Sequence, residues 1–282
     1  MPDKDINSLL NFSIINIDKP SGPTSFQVSQ FVRHSLSLPK TAHMGTLDPQ
    51  VSGVLPITLG RACRLSEILM HRNKTYVGIM HLHEEVDRKT LEKQLKKFIG
   101  KIIQLPPVRS RVKRQERQRE VHTFKILEIQ GKDVLFETEV QAGTYIRKLI
   151  HDLGESLPNK AGAHMLELRR TKAGLFTEEQ GKIYTLYEFE SAVEEYNSGN
   201  SQKLKSMLIP AEEVIKSLLP IMETNPKSEK QLLIGKPLMK SDIKNKLPKE
   251  EIFALFNKDK FIGIYKSCNE GDIIARAEFV FN

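Results

Sequence analysis

His43-Met44-Gly45-Thr46-Leu47-Asp48-Pro49 is the stretch on which the reading of this chain turns. Gly45 permits backbone angles closed to other residues, and Pro49 biases Asp48 away from helix. Such a segment can present a carboxylate rigidly from a loop. Asp-Pro is also a common turn starter, so the local spacing leaves a structural turn and a catalytic carboxylate both open.

On either side of this loop the pattern is mixed. Ile14–Ile17 reads as a short strand ending at the turn cluster Asp18-Lys19-Pro20-Ser21-Gly22-Pro23. Ser25–Leu36 has helical spacing, with Thr24 or Ser25 as N-cap. Lys40–Gly53 reads as loop throughout. Tyr76–Leu82 predicts a strand and Thr90–Ile99 a helix capped by Asp87 or Thr90. Lys125–Ile129 and Val134–Val140 read as paired strands around Gly131-Lys132-Asp133. Thr144–Leu157 predicts a helix, Ala163–Arg170 a strand and Leu186–Tyr196 an acidic helix. Beyond the linker-like Asn197–Ser201 come the short helix Ala211–Leu219 and three apolar strands, Ile252–Phe256, Phe261–Tyr265 and Ile273–Phe281. The expected division is a domain over 1–208 and a small β-domain over 209–282.

The 282 residues are 39% hydrophobic and 28% charged, the mix of a soluble globular protein of two domains. Apolar runs fall short of a membrane span, and Met1–Leu10 lacks the basic-then-apolar order of a signal peptide. Cys63 and Cys268 are far apart, which excludes a disulfide framework and a Cys-rich metal site and fits a cytoplasmic location.

The net charge of +8 is unevenly spread. Residues 1–183 carry 29 Lys+Arg against 20 Asp+Glu, whereas residues 184–282 carry 14 against 15. A basic field in the first two-thirds suits a polyanion. Arg109–Glu120 (RSRVKRQERQRE) concentrates six basic residues against two acidic ones just after Leu105-Pro106-Pro107. Five of the six are Arg, whose planar fork suits phosphate. A solvated loop or helix face is the plain alternative.

Five segments in order carry a resemblance. They are Asp18-Lys19-Pro20; His43–Pro49 followed by Gly53; Lys74-Thr75-Tyr76; Gly143-Thr144-Tyr145-Ile146-Arg147; and Gly162-Ala163-His164-Met165 with Leu168-Arg169-Arg170. Over roughly residues 12–185 the chain resembles the RNA pseudouridine synthases that include bacterial tRNA pseudouridine-55 synthase and the archaeal and eukaryotic guide-RNA enzymes of the dyskerin type. The resemblance implies an α+β catalytic domain on a largely antiparallel sheet, followed by a small β-barrel-like (PUA-like) RNA-binding domain. It implies that Asp48, Tyr76 and Arg147 are catalytic: the carboxylate, a phenol at the target base and the arginine paired with the carboxylate. It implies that His43, Leu168 and Lys19 serve substrate binding, His43 by holding the RNA with its base turned out, Leu168 by lining the base pocket, and Lys19 with Pro20 by supporting the loop. The arm corresponds to a family segment that packs on RNA, which assigns Arg114, Arg117 and Arg119 to phosphate.

These residue types suit an isomerisation that needs no cofactor. The ribose bond to N1 breaks and a bond to C5 forms. A carboxylate can act as nucleophile or base, and a neighbouring Arg favours its ionised form. A phenol near C5 can relay the proton. The target base must leave its stack, which costs a few kcal/mol, roughly, and less when unpaired. The leading expectation is a stand-alone enzyme for the uridine of the TΨC loop of tRNA. The alternative is the catalytic subunit of a box H/ACA particle, with a guide RNA and small partner proteins. A non-catalytic RNA-binding protein is a third reading. His151 and His164 read as structural, with no spacing that makes a metal set.

Overall fold

The computed structural model describes residues 5–106, 113–179, 181–243 and 247–282. The first four residues of the basic stretch, Arg109–Val112, therefore lie outside the described residues. The chain divides into two compact units, Ile15–Met207 and a second made of Met1–Ile14 with Leu208–Asn282.

Helix α1 (Ile6–Asn11) belongs to the smaller unit. The larger unit takes up strand β1 (Ser13–Lys19) and continues through α2 (Ser25–Ser35), β2 (Thr41–His43), β3 (Ser52–Leu59), α3 (Ser66–Met70) and β4 (Lys74–Leu82). Next come α4 (Arg88–Leu95), β5 (Gly100–Gln104), β6 (Arg117–Gln130), β7 (Asp133–Val140), α5 (Ile146–Ser156) and β8 (Ala163–Ala173). It closes with β9 (Phe176–Thr177), β10 (Tyr184–Thr185), α6 (Leu186–Asn197) and α7 (Gln202–Met207).

Its sheet runs in the order β10-β1-β3-β8-β4-β7-β6-β5. Pairing is parallel at β1/β10 and β3/β8, and antiparallel at β4/β8, β4/β7, β6/β7 and β5/β6. The expected α+β class with a largely antiparallel sheet is what forms. β3 is buried along nearly its whole length because both its faces are covered, whereas β4 alternates buried and half-buried residues. At the crossing of β3 and β8, Gly53 (φ +103°) lets the backbone of Arg170 come so close that an added Cβ would lie 2.2 Å from its carbonyl oxygen.

Local chemistry sets the helix starts. Thr24 accepts from the Gln27 amide at 3.1 Å while the Gln27 side chain accepts from the Thr24 amide at 2.8 Å, a capping box that starts α2. Asp87 caps α4 by accepting from the Thr90 amide at 2.9 Å. Four expectations need correction. Thr41–His43 and the start of β3 lie within the stretch read as loop, because β2 and β3 pair as a hairpin around it. α4 ends at Leu95 and passes into a 3-10 turn, Lys96–Phe98. α5 begins at Ile146, not Thr144. Arg117–Glu120, read as loop or helix face, opens the long strand β6, because β5 pairs with it from Gln104↔Arg117 to Gly100↔Val121.

The smaller unit continues with β11 (Leu208–Pro210), α8 (Ala211–Leu218), β12 (Ile221–Glu223), α9 (Glu229–Leu233), β13 (Leu238–Met239), β14 (Ile252–Asn257), β15 (Lys260–Glu270) and β16 (Ile273–Val280). Its sheet order is β12-β14-β15-β16-β13, so two strands join the three legible from sequence. Leu232, Leu238, Phe253, Leu255, Ile262 and Tyr265 form its core. The N-terminal segment groups with this unit rather than with residues 15–207, because Phe12 stacks at 5.6 Å on Phe261 and at 4.3 Å against Phe281. Backbone bonding supports the grouping, since the Ala211 amide donates to the Phe12 carbonyl at 3.1 Å.

Candidate active site

The loop between β2 and β3 carries Asp48, and its backbone is tied down on both sides of that residue. Before it, the buried Ser25 hydroxyl accepts from the Leu47 amide at 2.8 Å and donates to the Leu47 carbonyl at 3.0 Å. After it, the Pro49 carbonyl accepts from the Lys19 ammonium at 3.0 Å and from the Gly22 amide at 2.9 Å. At the loop's entry, the Gly45 carbonyl accepts from Arg170 Nη2 at 3.0 Å. The Asp48 side chain itself stays 48% exposed. A fixed backbone with an exposed carboxylate is what a reacting group in an open site requires.

Arg147 reaches that carboxylate, with Nη2 2.8 Å from Asp48 Oδ2. It occupies the first turn of α5, whose start is held by Gln104. The buried Gln104 side chain accepts from the Tyr145 amide at 3.0 Å and donates to the Tyr145 carbonyl at 3.2 Å. A bond of this kind is charge-assisted and directional.

Tyr76 lies on β4 directly opposite Arg170 on β8. Arg170 is only 1% exposed, and its Nε donates to the Val54 carbonyl at 2.8 Å. Burial pushes its pKa down, while the Tyr76 hydroxyl, hydrogen-bonded to it, opposes that shift. Arg170 thus links Tyr76, β3 and the entry to the Asp48 loop through one buried guanidinium. Asp48, Arg147 and Tyr76 come from a hairpin loop, a helix start and a central strand; Arg147 meets Asp48 directly, and Arg170 ties Tyr76 to the loop's entry.

The residues expected at substrate divide into three groups. Leu168 is buried on β8, two residues before Arg170 and on its face, as a pocket wall requires. His43 is half-buried at the end of β2; burial pushes its pKa down, and its Nδ1 is enclosed without a hydrogen-bond partner. Arg114 is exposed. Arg117 and Arg119 are half-buried on β6, and Arg119 lies over Gly143, where an added Cβ would stand 3.2 Å from its Nε. Lys19 faces the Asp48 loop, where support was expected of it, rather than solvent. It is fully buried, and its ammonium donates to the Pro20 carbonyl at 2.7 Å as well as to Pro49. Burial pushes its pKa down and the Asp48 charge opposes that. It anchors the loop and is closed to phosphate.

Four residues to which the sequence reading gave no part in the site build its frame: Ser25, Lys74, Gln104 and Arg170. Lys74 and Arg170 sat inside segments already singled out. Their spacing offers a signal, since Lys74 and Tyr76, like Leu168 and Arg170, share one face of a strand. His151 contacts Asp152 at 3.4 Å, and His164 Nδ1 pairs with His83 Nε2 at 3.0 Å. Among the described residues no group of three or more His, Cys, Asp or Glu has the geometry of a metal site, and no helix is long and apolar enough to cross a membrane.

The profile of the TruB family pseudouridylate synthase N-terminal domain matches residues 33–146, and that of the tRNA pseudouridylate synthase B C-terminal domain matches residues 147–216. The chain is 48% identical over 216 residues to "Probable tRNA pseudouridine synthase B" of Nanoarchaeum equitans, covering 77% of this chain and 61% of that protein. It is 45% identical over 211 residues to the protein of the same name from Methanothermobacter thermautotrophicus, covering 74% and 64%. The match therefore spans less than two thirds of these relatives' length. Among solved structures, a chain of a Cbf5-Nop10-Gar1 complex superposes with a TM-score of 0.87 at 35% identity, covering 100% of this chain and 91% of that one. A chain of an H/ACA RNP bound to a substrate RNA containing 2'-deoxyuridine gives 0.86 at 34%, covering 99% and 88%. With family profiles matched over residues 33–216 and the fold matched along the whole length, the chain belongs to the TruB family of pseudouridylate synthases.

Proposed function

We propose that this chain isomerises a uridine of RNA to pseudouridine with Asp48 as its catalytic carboxylate, the favoured substrate being the uridine of the TΨC loop of tRNA. The observation that carries the reading is the pinned loop whose exposed Asp48 meets Arg147 at 2.8 Å. The N1–C1′ bond breaks, the C5–C1′ bond forms, and the proton lost from C5 is balanced by one gained at N1. Asp48 acts on base or sugar as nucleophile or base, and Arg147 holds it in position. Tyr76, on the buried frame with Arg170, receives or relays the C5 proton. Leu168 walls the pocket in which the detached uracil turns, and His43 holds the RNA with the base out. Arg114, Arg117 and Arg119 grip phosphates, which offsets the cost of extruding the base. No cofactor enters, since substrate and product are isomers. We assign the work to the cytoplasm, in keeping with two free cysteines.

A second reading is favoured by one observation, the match over the whole chain to Cbf5 in complexes with Nop10 and Gar1. In it the chain is the catalytic subunit of a guide-RNA particle. Tritium release from tRNA transcripts labelled at uridine C5 tests both. Release by the purified protein alone, lost in Asp48→Asn, supports the stand-alone enzyme. Release only with guide RNA and partner proteins supports the particle. No release under either condition overturns the isomerase reading.

A further inference from the structure

Lys74 is an expensive residue to bury and, among the described residues, has no carboxylate to justify it. It is 5% exposed and opens β4, on a face that Tyr76, Gly78, Met80 and Leu82 continue. Its ammonium donates to the Met70 carbonyl at 2.5 Å and the Arg72 carbonyl at 2.6 Å, both just beyond or at the end of α3. Its Cε lies 3.5 Å, and its Nζ 4.0 Å, from where a side chain on Gly45 would begin, directly under the entry to the Asp48 loop. Two residues further along the same face stands Tyr76.

The charged and titratable groups around it are few. On β8 Lys74 is paired with Ala173, and among the described residues the charge that acts on it is Arg170, opposite Tyr76, which repels it. On β7 the paired residues of that face are Val140 and Thr138, both uncharged. The loop offers the Gly45 backbone, α3 offers a carbonyl, and on β4 itself the nearest titratable group is Tyr76. A buried cation held against a second buried cation is maintained at a cost, and such costs concentrate where charge is used.

We propose that Lys74 is a positioning residue whose charge, rather than its bulk, organises the reaction: its ammonium joins the end of α3 to the floor under Gly45 and adds to the positive field that faces Tyr76 and the base pocket. That field favours the electron-rich uracil released when N1–C1′ breaks. The proposal rests on the isomerase reading. Burial, with Arg170 adding to it, pulls the Lys74 pKa down to about 8, so the charge is present below that value and lost above it.

The test is kcat for tritium release from C5-labelled tRNA, measured across the pH range on both sides of 8, with RNA Kd and thermal unfolding measured alongside. Lys74→Met removes the charge and keeps the stem. It is expected to lower kcat about ten-fold below pH 8, to leave RNA Kd unchanged, and to lose the wild-type decline above pH 8. Lys74→Arg keeps its charge and is expected to hold its turnover into the range where the wild type falls. The proposal is overturned if Lys74→Met keeps wild-type kcat, or if it shares the wild-type alkaline decline. Should Lys74→Met fail to fold, the Lys74→Arg profile decides: an alkaline decline identical to the wild type's overturns the proposal. A wild type without turnover, alone or with guide and partners, overturns the isomerase reading and this proposal together.

Discussion

The Lys19 ammonium donates to the Pro49 carbonyl at 3.0 Å, immediately beyond the carboxylate-bearing Asp48. A fully buried cation on β1 thereby sets where the Asp48 loop turns. Lys19→Met deletes two charge-assisted bonds to carbonyls, worth about 1.5–3 kcal/mol each when lost from the interior. The expected outcome is a lower unfolding midpoint together with a fall in kcat, while RNA Kd is retained. A variant that loses RNA binding and keeps kcat would return Lys19 to the substrate surface.

Asp48 and Arg147 form an ion pair open to solvent, with side chains 48% and 62% exposed. Pairs of this kind contribute about 0–1 kcal/mol to stability. Asp48→Asn is therefore expected to abolish tritium release while moving the unfolding midpoint little. Arg147→Gln should lower kcat without loss of fold. Residual turnover above background in Asp48→Asn would remove Asp48 from the chemistry.

Gly53 has room for no side chain. Its φ of +103° and the Arg170 carbonyl 2.2 Å from a would-be Cβ oppose any substitution. Gly53→Ala is expected to separate β3 from β8 and cost more than about 3 kcal/mol, beyond the ordinary range for a point mutation. Chemical denaturation reads this directly; an unchanged midpoint would mean that the two strands slide apart freely.

The salt dependence of RNA binding tests the basic arm. Arg114 is exposed, and Arg117 and Arg119 point from the first residues of β6. If each meets one phosphate, replacing all three by Gln lowers the slope of log K against log salt by about 2 for single-stranded RNA. An unchanged slope would mean that RNA passes elsewhere.

Lys74 also links stability to pH. Its pKa is about 8 in the folded chain and near 10.5 when released, so between these values the unfolded chain holds a proton that the native chain has given up. Native stability then rises with pH across that window, by up to about 3 kcal/mol. Denaturation of the wild type should gain on Lys74→Met from pH 8 to 10.5 and run parallel to it below pH 8. Parallel curves throughout would mean that Lys74 does not titrate there.

The helix that carries Arg147, the strand that carries Tyr76 and the small C-terminal β-domain were legible in local pattern, whereas the α+β class came from the family resemblance. Periodicity of 2 and 3.6, Gly and Pro punctuation and side-chain caps act over a few residues, and a sequence displays them directly. β3 escaped because a strand covered on both faces has no alternation, and because its neighbouring loop is rich in turn formers. The start of β6 escaped because its charges read as solvated chain, whereas pairing with β5 made it strand.

The roles of the site residues depended on partners far away in the chain. By itself the sequence determined that an Asp lies between Gly45 and Pro49, that an Arg opens a helix and that basic charge gathers before residue 184. Only the tertiary structure decided that Lys19, Ser25 and Arg170 are the buried donors and acceptors that hold the Asp48 loop, and that Phe12 joins the aromatic core of the C-terminal unit. The physical reason is that a buried polar group must find its partner wherever the fold brings one, and that choice is made by burial and packing across the whole chain rather than by neighbouring residues.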